Sequence, residues 1–235
     1  MGRHLEKEIE KLKRNTLGLS ALVEESVHKA IASIETADLR LAEHVIESDT
    51  RIDEMEVDVE EECLKILALH QPVAIDLRFI VGVLKLNNDL ERIADLAVNI
   101  AEQARPLVAA GARGLPLNIR EMARAVESML GGSLDALVNL DTKAAWSVCA
   151  ADDAVDSLHR DTYSTIKAEI QKDPSRTDVL IHHLSVSRYL ERIADHATNI
   201  AEDVIYLVEG AIVRHGAWRR AAAAQSRPRG SNEKS

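Results

Sequence analysis

Residues 90–102 read Leu-Glu-Arg-Ile-Ala-Asp-Leu-Ala-Val-Asn-Ile-Ala-Glu, and residues 190–202 read Leu-Glu-Arg-Ile-Ala-Asp-His-Ala-Thr-Asn-Ile-Ala-Glu. Eleven of the thirteen positions are identical at an offset of 100 residues. A repeat kept only for packing needs its apolar residues alone. Here Glu91, Asp95, Asn99 and Glu102 recur as Glu191, Asp195, Asn199 and Glu202, at helical spacing in both copies. The chain reads as a duplication that maintains two equivalent polar surfaces.

Around each copy, apolar residues recur three and four apart, the pattern of a helix with one buried face. The first stretch carries Leu5, Ile9, Leu12, Leu19, Val23, Val27, Ala30 and Ile34. Asp38 offers a cap, and a second stretch runs from Leu41 to Leu69, ended by Gln71-Pro72 because proline cannot continue the ladder and restricts its predecessor. The third runs from about Ile75 to Val108. Gly111, Gly114 and Pro116 then form the only interior Gly/Pro cluster, and the pattern restarts. A fourth helix spans about Ile119–Leu137, Asp141 caps a fifth, Asp173-Pro174 breaks it, and a sixth runs from about Asp178 to Glu209. The expected fold is all-α: two tandem pseudo-symmetric three-helix bundles, residues 1–112 and 117–213, with helices of about 30 residues and about 45 Å in the first half. The first two helices of each half align at an offset of 103 and the third at 100, so the second half has lost three residues near its proline-containing loop. Residues 214–235 lack periodicity and read as a disordered, mildly basic tail.

Composition agrees. Apolar residues make up 46% but aromatics only 3%, with 10 Gly and 5 Pro: a helical core of Leu, Ile, Val and Ala, without the turns a sheet needs. Trp146 reads as a core anchor and Trp218 as a tail contact. A net charge of −10 argues against a nucleic-acid-binding face, which needs a clustered basic stripe. Cys63 and Cys149 lack CxxC spacing and read as small core residues in a reducing compartment. No apolar leader and no long apolar run is present, so a cytoplasmic protein is expected.

With Glu91 at zero and about 100° per residue, Asp95, Asn99 and Glu102 fall within about 80° of one another, opposite Leu90, Ile93, Ala97 and Ile100. On the second helix, Asp49, Asp53, Glu56 and Glu60 form a row along one shoulder of the buried face. The aligned residues of the fifth helix are Asp152, Asp156, His159 and Tyr163. Each half therefore offers an Asp-xxx-Asp pair and a Glu-xxx-Asp pair. Carboxylates four apart repel, and stacking two such pairs compounds the cost unless a cation offsets it. Oxygen-rich open sites suit Mg²⁺, Ca²⁺, Mn²⁺ or iron. Two other readings stand beside this one. The stripes are solvated faces in which Arg92 and Arg192 pair with Asp95 and Asp195, or the protein is a metal-handling, di-iron-like enzyme. The latter has one loose motif, Asp156-Ser-Leu-His159, where such enzymes use two. His182 and His183 read as interface or surface residues, and His196, which replaces Leu96, is given no metal role.

The doubled phrase, on the third helix of each of two three-helix halves, resembles the PhoU family over residues 3–210. That resemblance implies a non-enzymatic, cytoplasmic accessory protein of bacterial high-affinity phosphate transport. It implies a negative regulator of phosphate uptake and of the phosphate-starvation regulon, homodimeric, bridging the transporter's ATPase subunit and a PAS-containing sensor histidine kinase. It reaches the membrane only through such partners. Some members of the family carry multinuclear iron or zinc clusters on E(D)xxxD motifs, which here match Asp49/Asp53, Glu91/Asp95, Asp152/Asp156 and Glu191/Asp195. Asn99, Asn199, Glu56, His159, Glu102 and Glu202 are possible additional ligands, and Mg or Mn possible alternatives. His159 and Tyr163, standing where the first half has Glu56 and Glu60, imply a second site of different affinity.

Overall fold

A computed structural model describes residues 2–112 and 114–210. They form six long helices: α1 (Gly2–Thr36), α2 (Leu39–His70), α3 (Ala74–Ala109), α4 (Leu117–Asn139), α5 (Thr142–Lys172) and α6 (Thr177–Glu209). No strand occurs among the described residues. The tail reading for 214–235, with Trp218, lies outside them.

The helix ends follow from local chemistry. The Asp38 carboxylate accepts the Arg40 amide at 2.9 Å, and the Asp141 carboxylate accepts those of Lys143 and Ala144 at 2.9 and 3.1 Å, satisfying donors that the first turn of a helix leaves open. Gln71, in the left-handed region at φ 44°, ends α2 before Pro72. Asp173 ends α5, and its carboxylate accepts the Ser175 amide at 3.1 Å to start a short 3-10 turn, Pro174–Arg176, that leads into α6. Replacing Asp141 by Ala removes two cap bonds and is expected to cost about 1 kcal/mol, more than Asp38→Ala. Urea denaturation of the two variants checks the order.

α4, with 23 residues, covers the expected Ile119–Leu137 stretch and extends it by two residues at each end, and α1, with 35, overhangs it. The three-residue loss in the second half is also located. α5 has 31 residues against 32 in α2, and one residue rather than three separates it from the next helical turn.

α1, α2 and α3 pack together, as do α4, α5 and α6, but the core is continuous through both groups. α3 and α6 run antiparallel along each other: Lys85 Nζ meets Asp203 Oδ1 at 3.1 Å, His196 Nδ1 meets Asp89 Oδ1 at 2.8 Å, and His182 Nδ1 meets Gln103 Oε1 at 2.9 Å. α1 crosses α4, where His28 Nδ1 lies 2.8 Å from Glu127 Oε1. The symmetry-related position holds Glu24 and Gly131, and a Cβ on that glycine would lie 3.0 Å from the Glu24 carboxylate. The duplication is therefore folded about a pseudo-twofold axis between the halves, and the two copies of the phrase lie on either side of it.

Cys63 and Cys149 are both buried, and burial pushes each thiol up to about 12, as expected of small core residues. Trp146 packs against the core but stays partly exposed. His182 is an interface residue, whereas His183 is a correction: it is buried, 6% exposed, among apolar neighbours of α6, and burial holds its ring below the ordinary histidine range.

Two carboxylate faces as candidate metal centres

Where α2 lies along α3, Asp49 and Asp53 come opposite Glu91 and Asp95. Their mutual field shows this. Burial, then Asp53, Asp95 and Glu91, raise the Asp49 carboxyl above its ordinary range. Burial, then Asp95, raise Glu91, with Arg92 opposing. The second half repeats the arrangement between α5 and α6. Burial, then Asp156, raise Glu191, and Asp152 adds to it. Burial, then Glu191 and Asp156, push Asp195 up to about 6 although one side of it is open to solvent. All eight residues of the four paired motifs are thus brought into two like-charged quartets, one per half.

Asp195 gives these faces a measurable pH dependence. Its folded carboxyl holds a proton more tightly than the unfolded one, whose ordinary value is 3.8. Stability of the metal-free protein should therefore fall as pH rises from about 4 to about 6 and level off above. Thermal midpoints recorded with chelator across that range check this, and Asp195→Asn should flatten the slope.

Four of the six additional candidates, Glu56, His159, Asn99 and Asn199, hold hydrogen bonds outside the quartets' carboxylates. Asn87 Nδ2 donates to Glu56 Oε1 at 2.7 Å and to the Glu56 carbonyl at 2.9 Å. At the equivalent place in the second half, His159 Nδ1 meets Ser187 Oγ at 2.8 Å. Both pairs tie the second helix of a half to its third, and burial holds His159 below the ordinary histidine range. Asn99 Nδ2 donates to its own helix at the Asp95 carbonyl, 2.7 Å, whereas Asn199 Nδ2 reaches across to Asp89 Oδ1 at 3.3 Å. Glu102 is exposed and Glu202 half-buried.

Three polar residues escaped the sequence reading: Asn87, Ser187 and Asp89. Asp89 is only 9% exposed and accepts from both His196 and Asn199, joining α3 to α6. The signal was present in the paired changes, since Glu56 and Asn87 become His159 and Ser187 together, and His196 replaces Leu96 where Asp89 stands opposite. The buried arc of α3 is also wider than periodicity implied, because Ala94, Leu96 and Ala101 are buried beside Ile93, Ala97 and Ile100. α3 is covered by its own bundle and by α6 as well.

The donor set of each quartet is oxygen only, which suits hard or borderline cations. Among the described residues, no three His, Cys, Asp or Glu side chains converge as the ligands of one ion. As placed, the carboxylates of each quartet form an open face and not a closed ligand cage. Part of the solvated-face alternative is also visible: Arg92 Nε lies 3.4 Å from Glu91 Oε2 and its Nη1 3.8 Å from Asp95 Oδ2, and Arg160 lies 3.7 Å from Asp156. Such exposed pairs contribute little.

Two fused three-helix units with acidic helix pairs on their surfaces define a duplicated helical protein that carries its chemistry on open faces. The PhoU domain model matches residues 16–104 and again 119–204. The chain is 39% identical over 210 residues to the phosphate-specific transport system accessory protein PhoU homolog of Pseudomonas aeruginosa, covering 88% of this chain and 86% of that one. It is 40% identical over 209 residues to the corresponding homolog of Aquifex aeolicus, covering 89% and 95%. Among solved structures, PhoU from Pseudomonas aeruginosa superposes with a TM-score of 0.85 at 37% identity, over 88% of this chain and 99% of that one. The phosphate transport system regulatory protein PhoU from Streptococcus pneumoniae does so at 0.80 and 28% identity, over 90% and 100%. The chain belongs to the PhoU family. Its relatives are named as accessory or regulatory proteins of phosphate transport and not as enzymes, which speaks against the di-iron-like enzyme alternative.

Proposed function

We propose that the chain is a negative regulator of high-affinity phosphate uptake and of the phosphate-starvation regulon. In this reading it is a cytoplasmic adaptor between the ATPase subunit of a phosphate ABC transporter and the PAS domain of a sensor histidine kinase. The supporting observation is the PhoU match to both halves, with relatives named as accessory proteins of phosphate transport. No helix of the described residues is long and apolar enough to cross a membrane, in keeping with attachment through protein partners. Homodimerisation belongs to the same reading. Ile46, Val57 and Leu64, all exposed, line one side of α2 and are candidates for the contact.

The carboxylate quartets are the candidate docking and metal-binding faces. Asp49, Asp53, Glu91 and Asp95 would hold cations in the first half, and Asp152, Asp156, Glu191 and Asp195 in the second, with iron or zinc clusters favoured and Mg or Mn alternatives. A bound cation supplies the positive charge that lets like-charged carboxylates on two helices approach. The chain's own part is fixed by the Glu56–Asn87 and His159–Ser187 bonds, which hold the paired helices in register. Without a cation, burial and then the neighbouring carboxylates hold Asp49, Glu91, Glu191 and Asp195 above the ordinary carboxylate range.

Pull-down of the ATPase subunit and of the kinase tests the adaptor reading. Binding to both is expected, and failure to bind either, with normal phosphate repression in a deletion strain, would overturn it. Metal analysis of tag-free protein purified without chelators, with anomalous scattering to place the ions, tests the second part. Asp95→Ala/Asp195→Ala should lose metal. Unchanged metal content would move the sites elsewhere.

A further inference from the structure

An apolar cleft of about 260 Å³ opens between α1, the first turns of α3 and the α4–α5 turn, lined by Ile9, Leu17, Ile75, Phe79, Val138 and Leu140. Its walls expose more apolar surface than a solvated corner needs: Ile75 is 77% exposed, and Val138 and Leu140 53% each. Leu140 also stands in the left-handed region, at φ 50°, where a side chain is disfavoured and glycine is usual. The equivalent turn of the first half uses Ala37, at φ 55°. A leucine kept in that conformation with its side chain outward points to a surface that is covered.

We propose that this cleft is the docking site of the chain's own C-terminal segment, residues 211–218, with Ile212, Val213 and Trp218 as the apolar anchors. Three observations select that occupant. The first is position. α6 ends against α3, where Leu207 packs on Gly82 and a Cβ on Gly210 would lie 3.3 Å from Arg78 Nη1. The chain therefore leaves α6 beside the turns of α3 that carry Ile75 and Phe79. Eight further residues reach Trp218, a span of up to about 26–29 Å, against a helix diameter of about 10–12 Å to be crossed.

The second observation is charge. Residues 211–235 hold six Arg or Lys against one Glu, of which Arg214 lies within 211–218, whereas the rest of the chain holds 23 against 38. The tail as a whole is therefore drawn back to the acidic body from which it emerges, and the cleft itself carries one charge of each sign, Lys13 and Asp76. The third is composition. A tail in which 16 of 25 residues are Ala, Arg, Ser or Gly carries one of the two tryptophans of a chain with 3% aromatics, and such a side chain brings the largest apolar area a short segment can bury. The docked segment would occupy the one corner that the α1 overhang creates and that the second half lacks, so removing it would expose a hydrophobic site on one end of the molecule only.

The full chain labelled with 5-fluorotryptophan tests this. Trp218→Phe assigns the two fluorine resonances, and the solvent isotope shift of the Trp218 signal reads its exposure. That signal is expected to be shielded in the unaltered protein at every protein concentration. Ile75→Asp should expose it, and so should Leu140→Gly, a change that relaxes the backbone; unchanged far-UV circular dichroism shows that both variants remain folded. A Trp218 signal that is fully solvent-exposed in the unaltered protein would overturn the proposal. So would shielding unaffected by both cleft substitutions, which would place the segment elsewhere. Shielding that appears only as concentration rises, with a doubling of mass, would assign the cleft to a second copy instead.

Discussion

Exchanging Glu191 and Asp195 for glutamine and asparagine is expected to make the metal-free protein melt higher and to abolish the second quartet's share of its stabilisation by divalent cations. The two effects have one origin. Both carboxyls are raised by burial and by neighbouring acids, so their charged forms are unfavourable in the folded state at neutral pH, and neutral isosteres remove that strain. The same change removes two of the four negative charges of the second quartet and turns two of its eight carboxylate oxygens into amide nitrogens, which do not ligate hard cations. A cation at about a hundredfold excess over its Kd adds about 2.7 kcal/mol to the folded state, or about 5–10 °C for a chain of this size at about 2–4 °C per kcal/mol. The variant should lose that increment, while the first quartet continues to respond. Scanning calorimetry with chelator and with added Mn²⁺ or Zn²⁺ measures both parts. A variant that melts lower without metal would show that Glu191 and Asp195 are stabilised by partners, not destabilised by one another.

The second large effect is expected at the seam between the halves. Leu96, 2% exposed, is seven residues from Asp89 and so lies on the same face of α3, the face from which Asp89 bonds α6. Leu96→Ala should cost about 2–5 kcal/mol, about 5–20 °C in the thermal midpoint, because helices held on both sides cannot collapse into the gap. Denaturation followed by circular dichroism gives the loss, and separated transitions for the two halves would show that the seam couples their unfolding. Leu96→His, which copies the second half's residue, should not restore stability. Its symmetry-related partner position holds Tyr189, not an acid.

The helices and the paired acids were legible because each has a local cause. Three-and-four periodicity, an Asp before each second helix and a proline after it are enough to set the element boundaries, and the carboxylate rows follow from residue spacing along single helices. What escaped depends on contacts between distant helices. Asp89 reads as one more surface acid until α6 is placed beside it, and His196 reads as an isolated replacement of Leu96. The same holds for Asn87 and Glu56, whose bond spans two helices. The fourth helix was legible too: its apolar residues from Ile119 to Leu137 lie within α4, which adds two residues at each end.

The Asp89 bond has a consequence for how the duplicated gene can be handled. A chain assembled from two first halves would set an aspartate opposite a leucine on both sides of the axis. One assembled from two second halves would set tyrosine opposite histidine twice. Only the natural order supplies one acid and one imidazole to the same crossing, at 2.8 Å. The two copies have ceased to be interchangeable parts: they are now a key and its lock, and shuffling either half with itself should yield a protein that folds less well than the natural chain.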